Sequence, residues 1–263
     1  MKIDIVPKFI DEAATPIAKS VGKTLDSLWS LVFGGINFYA DKVNTKRAHS
    51  LQLFKEELEE EVSSIPEESL VEPPLHIIGP TMEASKFYFE SEELRSMFAN
   101  LIAASVNAKT LNKTHPAFVE CIKQLSPVDA KNLKLFKPLI HEIAPEFAPS
   151  SLPIVNYHLL FKKSSNFAPY KNNVFLSNTE IQDIDLNSTS VTNLNRLGLV
   201  EIQYGTSLIS EHAYTEFECE PLFKQTKKVL MSNESSIAYQ DIVIEKGIIF
   251  LTPLGTNFVQ VCI

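Results

Sequence analysis

Residues 71–130 read as three capped helices with short connections, and a fourth helix start closes the segment. Pro80 suits the first turn of a helix running to about Glu90, because its missing N–H falls where a helix has no use for one. Ser91, followed by Glu92 and Glu93, supplies a cap hydroxyl and two carboxylates at the positive end of the helix dipole. His115-Pro116 opens the next helix. Ser126-Pro127-Val128-Asp129 approximates a capping box, with a hydroxyl at the cap and a carboxylate three residues on. Such closely spaced starts commit this stretch to a folded helical platform. The inner faces are Leu94, Phe98, Leu101 and Ser105 in one helix, and Phe118, Val119, Ile122 and Leu125 in the next. The helix after that carries Leu133, Phe136 and Ile140, and Pro138 should shorten it.

Upstream, Ile10, Ala14, Ile17, Val21, Leu25, Leu28 and Val32 recur at helical spacing, interrupted by Pro16 and closed by Gly34-Gly35. A second amphipathic helix resumes near Asp41. It places Leu51, Phe54, Leu58 and Val62 on one face and Lys55, Glu56, Glu59 and Glu60 on the solvated one. Pro66 ends it, and Ile65–Gly79 reads as an extended connection. Pro145, Pro149, Pro153 and Pro169 make 144–180 a linker or irregular insertion, with one short strand or helix at Ile154–Phe161.

The last third changes character. Ser188–Leu197 reads as a helix ended by Gly198, and Leu199–Tyr204 as a strand. Gln240–Ile244 and Ile248–Thr252 read as a hairpin, with Gly247 supplying a positive φ at its turn. Pro253–Cys262 returns to helix. That order resembles a winged helix with an amphipathic segment, Glu216–Met231, inserted in it. The expected fold is therefore mainly α with a small β component: an N-terminal multi-helix region, then a C-terminal winged-helix-like α/β domain. The expected divisions are 1–64, 65–143, 144–180 and 181–263.

Several strings resemble the Abi-alpha (abortive infection alpha) family of bacterial proteins: ELRSMFANLIAAS, then HPAFVECIKQLSPVDA. The flanks IPEESLVEPPLHIIGPTMEASKF, TPIAKSVGKTL and LTPLGTNFVQVC fit as well. The resemblance implies a link with resistance to bacteriophage and brings no activity, substrate or cofactor with it. Val106-Asn107 stands where that family pattern has Met-Asp, which weakens any chemistry by a carboxylate there.

The chemistry read from residues is sparse. The chain has 263 residues, 24 basic against 32 acidic, and a net charge of −8. That balance speaks against nonspecific affinity for phosphate backbones. Three scattered cysteines without a CxxC pair speak against a disulfide framework or zinc site, and for a cytoplasmic protein. Asp4, Asp11 and Glu12 interrupt any secretory leader. His141-Glu142 fails the HExxH pattern because Pro145 occupies the second histidine's place. His115 is either a functional imidazole or a simple helix cap, and Cys121 is a small core residue. No cofactor and no small-molecule substrate is expected, and no catalytic residue is assigned.

A non-enzymatic factor working through a protein partner or self-association is the preferred reading. Leu94, Phe98, His115 and Phe118 form its signature module. A DNA-binding regulator would use Asn193, Arg196 and Lys246, a thin footprint in a region of net −5 (five basic, ten acidic, residues 181–263). A membrane-acting effector would use the aromatic stretch Trp29–Tyr39.

Overall fold

A computed structural model of the chain describes Phe9 and residues 15–34, 42–137, 151–232 and 238–263. The expectations placed on Ile10, Ala14, Gly35, Phe38, Tyr39, Pro138, Ile140, Pro145 and Pro149 lie outside these residues. The chain divides into two compact units, Met1–Ala130 with Asn257–Ile263, and Lys131–Thr256. Helices dominate, with one four-stranded antiparallel sheet as the β component.

The first unit is helical. Helix α1 (Pro16–Phe33) begins at its proline, with the Thr15 hydroxyl accepting from the Ala18 N–H at 3.3 Å, and ends at Gly34. Its buried ridge of Val21, Leu25, Trp29 and Phe33 reaches Phe54 of α2 (Lys42–Ser63), whose Leu51, Leu58 and Val62 are buried as well. Trp29 stacks on Phe54 at 5.6 Å between centroids and touches Phe33 at 4.4 Å. Each such buried side chain contributes about 2 kcal/mol of transfer free energy. Trp29 is only 2% exposed. Trp29 and Phe33 therefore face protein, which corrects the lipid-facing reading for these two residues. No helix among the described residues is long and apolar enough to cross a membrane.

Helix α3 (Leu75–Ser85) starts five residues earlier than expected and contains Pro80 in its interior. Pro74 takes the cap position, so the helix opens immediately after the Pro73-Pro74 step. Pro80 and His76 both lie on the exposed side, where water can satisfy the carbonyl that the proline leaves without a donor. The helix stops at Ser85, and turns carry the chain through Glu90. Helix α4 (Glu92–Ser105) is almost wholly buried, including Leu94, Phe98, Leu101 and Ser105. Ser91 occupies the cap position, but its hydroxyl bonds Glu93 rather than the backbone, and its carbonyl accepts from the Arg95 N–H. Helix α5 (Ala117–Lys123) buries Phe118, Val119, Cys121 and Ile122. Helix α6 (Pro127–Lys134) opens on a reciprocal capping box. The Ser126 N–H donates to Asp129 at 2.7 Å, and the Asp129 N–H donates to the Ser126 hydroxyl at 3.2 Å.

The second unit holds the sheet. The stretch expected to be a loose insertion forms two strands from residue 152 on, β1 (Leu152–Phe161) and β2 (Phe167–Val174). Helix α7 (Ile184–Arg196) is capped by Asp183 and ends before Gly198, whose φ of 70° favours glycine. It leads into β3 (Val200–Tyr204). The inserted amphipathic segment is α8 (Thr215–Cys219) followed by α9 (Pro221–Met231), and α10 (Pro253–Cys262) closes the chain.

The hairpin expected at residues 245–247 does not form. Residues Tyr239–Leu251 are one continuous strand, β4, in the order β2-β1-β4-β3. β1 pairs along its length, with Asn156 opposite Glu245 and Val155 opposite Lys246, so ladder bonds hold the segment straight where the sequence suggested a turn. The hairpin on which the winged-helix reading rested is absent.

Alternation along β1 and β4 divides the sheet into two faces. Val155, Tyr157 and Ile242 join Phe217, Phe223 and Leu230 of α8 and α9 in an apolar core. Tyr157 also donates its hydroxyl to the Phe217 carbonyl at 2.8 Å. Asn156 and His158 of β1 and Glu245 of β4 occupy the opposite face.

Candidate functional site

The polar face of the sheet carries the densest chemistry of the second unit. Asn156 sits directly opposite Glu245, and His158 follows two residues on in the same strand. One carboxylate oxygen, Oε2 of Glu245, takes both: Asn156 Nδ2 donates at 2.8 Å and His158 Nε2 lies at 3.0 Å. The Asn156 hydrogen bond, then the His158 one, hold the Glu245 carboxyl below its ordinary range. His158 is 7% exposed, its ring lies 4.5 Å from Phe167, and its buried Nδ1 has no hydrogen-bond partner.

The same network continues through Asn173. That residue adopts a left-handed conformation, φ 54°, which asparagine tolerates better than most side chains. Its N–H donates to Asn156 Oδ1 at 2.9 Å, and its Nδ2 donates to Thr192 of α7 at 2.9 Å. Its Oδ1 accepts the Tyr204 hydroxyl at 2.6 Å. Burial, with the Glu245 charge adding to it, raises the Tyr204 phenol well above its ordinary value, so it stays a neutral donor.

Gly247 makes this possible. A Cβ there would stand 2.6 Å from Tyr204 Cδ1 and 2.8 Å from the Gln203 carbonyl oxygen. Gly247 is thus required for close approach inside a strand. The expectation that it supplies a positive φ is corrected, since the positive-φ glycines among the described residues are Gly198 and Gly205.

Chemically, the cluster pairs one fixed anion with an imidazole and committed neutral donors. Its members, Asn156, His158, Asn173, Thr192, Tyr204 and Glu245, include no serine or cysteine. The Thr192 hydroxyl donates to the Ser188 carbonyl while accepting from Asn173. The sequence offered no local signal for this site, because His158 and Glu245 are 87 residues apart.

The residues singled out from sequence are not gathered into one site. Leu94, Phe98 and Phe118 are buried core. His115 is exposed, and its Nδ1 accepts the Ala117 N–H at 3.1 Å, so it caps the first turn of α5. Asn193 and Arg196 bond one another, at 3.1 and 2.7 Å. Lys246 lies at the far end of β3 from them, its carbonyl accepting the Gly205 N–H and its ammonium 5.1 Å from the Tyr214 ring. The six strand steps from Leu199 to Gly205 separate the two groups by roughly 20 Å. Cys121 and Cys262 are both buried, and burial, with Cys121 beside it, raises the Cys262 thiol well above its ordinary value. Such thiols are poor nucleophiles. No group of three or more potential metal ligands occurs among the described residues.

The family model described as Abortive infection alpha matches residues 46–262. The chain belongs to that family. No curated protein matches it. A solved structure of an uncharacterized protein from the hydrocarbon-degrading marine bacterium Alcanivorax borkumensis SK2 is similar at 15% identity, over 59% of this chain and 94% of that one, with a TM-score of 0.32.

Proposed function

We propose that this member of the abortive infection alpha family limits bacteriophage in the cytoplasm by binding a protein partner, without catalysing a reaction and without a cofactor. The family supports a role in abortive infection. The observation that carries the non-catalytic part is how the polar cluster is bonded. Asn156, Asn173, Tyr204 and Thr192 bond one another and Oε2 of the 40%-exposed Glu245, and His158 Nδ1 is buried where no substrate proton reaches it. A general base must reach the proton it abstracts, directly or through one water. The cluster's role on this reading is to fix β1, β2, β3, β4 and α7 as a rigid frame.

The test is a plaque assay in cells carrying Glu245→Gln, which keeps the shape and the Asn156 contact but removes the charge. Full protection by a folded Glu245→Gln protein is the expected result. Loss of protection with the fold intact, checked by circular dichroism and melting, overturns the non-catalytic reading.

A further inference from the structure

We infer that the partner of α9 is a second copy of this chain, bound through the C-terminal half of that copy's α2. The inference rests on the partner-binding reading above and names the partner. Helix α9 concentrates charge that the rest of its region lacks. Three of the five basic residues between 181 and 263, Lys224, Lys227 and Lys228, fall on it, and Pro221–Met231 contains no acid. Lys224 and Lys228 are exposed one turn apart, while Lys227 lies 5.7 Å from the Phe223 ring. Beside them stand two exposed apolar side chains, Val229 at 47% and Met231 at 63%.

Helix α2 presents the complement. Glu56 and Glu60 are exposed one turn apart, and Leu53 lies half-buried one turn before Glu56. Glu56, Glu57, Glu59, Glu60 and Glu61 crowd the last two turns, which hold no basic residue at the end. That places acids at the negative end of the helix dipole, an unfavourable arrangement that an arriving cation relieves. Local ion pairs engage Glu57 with Arg95 and Glu59 with Lys55. Glu56, which accepts from Gln52 Nε2 at 2.8 Å, and Glu60 are exposed to solvent.

Spacing fixes the direction of docking. With the helices antiparallel, Lys224 meets Glu60, Lys228 meets Glu56, and Met231 on the same face reaches Leu53. A parallel arrangement would set Met231 against Ser63 instead. The two surfaces differ, so each molecule carries both halves of the contact. Exposed charges at its centre make it sensitive to salt.

The full chain is tested by sedimentation velocity across concentration, at low and high salt. Wild type should associate at low salt and dissociate at high salt. Lys224→Glu/Lys228→Glu and Glu56→Lys/Glu60→Lys should each weaken association on the order of tenfold or more. Mixing the two variants should restore it, as should all four changes in one chain, and this rescue separates pairing from misfolding. Wild type that stays monomeric, or variants that associate like wild type, overturn the inference. So does a monomeric wild type whose lysines instead bind anionic vesicles or duplex DNA. A monomeric wild type that still protects cells removes self-association alone and leaves the proposed function standing, whose non-catalytic part the Glu245→Gln plaque assay tests separately.

Discussion

The Tyr204 hydroxyl donates to Asn173 Oδ1 at 2.6 Å, linking β3 to β2, the two edge strands of the sheet. The ring reaches Asn173 by passing over Gly247 in β4, where any Cβ would collide with it. A tyrosine, an asparagine and a glycine far apart in sequence thus act together to close one face of the sheet. The consequences can be measured one residue at a time.

Gly247→Ala should destabilise the protein by about 1–3 kcal/mol, the range for forcing an added carbon into a packed site. The backbone conformation itself tolerates alanine, so the loss comes from displacing Tyr204 or parting β3 from β4. Urea denaturation measures it. Tyr204→Ala/Gly247→Ala should cost less than the two single changes added together, since the clash has lost its partner.

Tyr204→Phe keeps the ring over Gly247 and removes only the hydroxyl. It should cost about 1–2 kcal/mol, because Asn173 Oδ1 then loses its donor in a partly buried site. The phenol also sets an alkaline limit. Its folded value lies above the ordinary 10.0, so the fold favours the protonated form. The stabilisation is fully present below pH 10.0 and is lost as pH rises from there toward the folded value. Tyr157, raised mainly by burial, adds to the same limb. Tyr204→Phe should therefore flatten the fall of melting temperature above pH 10, and ultraviolet titration of wild type should show tyrosines that ionise late.

What the sequence made legible was local. The Ser126–Asp129 capping box forms as its spacing indicates, α10 opens at the Pro253 the sequence marked, and Gly198 ends α7. Each depends on residues within one or two turns of each other. The errors came where a distant partner decides. Residues 245–247 looked like a turn because glycine follows lysine. Their conformation is set by β1, about ninety residues earlier, in a stretch that four prolines made look irregular. Pro80 looked like a helix start, and Pro74 already supplied one. The polar cluster was invisible for the same reason, since its members come from β1, β2, β3, β4 and α7 and no short window holds two of the strands' contributions.

Glu245 sets an acid limit on stability. Its carboxyl lies below the ordinary 4.5, held down by Asn156 first and then by His158. The fold therefore favours the carboxylate, and that contribution is fully present above about pH 4.5. It is lost as pH falls through the lowered folded value. Glu245→Gln should make the melting temperature fall less steeply below that point while leaving its value at neutral pH slightly reduced. A scan of melting temperature from neutral to acid pH, on both proteins, checks the sign. An acid limb unchanged by the substitution would assign it to other carboxylates.

In the first unit, Arg95 should be the costliest single polar residue to remove. Its Nε and Nη2 donate to Glu57 Oε1 at 2.8 and 2.6 Å, joining α4 to α2, and the Ser96 hydroxyl holds the second carboxylate oxygen at 3.2 Å. The Arg95 side chain is 8% exposed and Glu57 28%, so one end of the pair is dry and the other reaches water. Removing a buried partner leaves the other charge without compensation, at a cost of about 3–5 kcal/mol where both ends are dry. Water at Glu57 reduces that, and Arg95→Met should cost about 2–3 kcal/mol by urea denaturation. Pairing it with Glu57→Leu removes the stranded carboxylate as well as its partner. The double variant should then be more stable than Arg95→Met alone, which a simple sum of two lost contacts would not give.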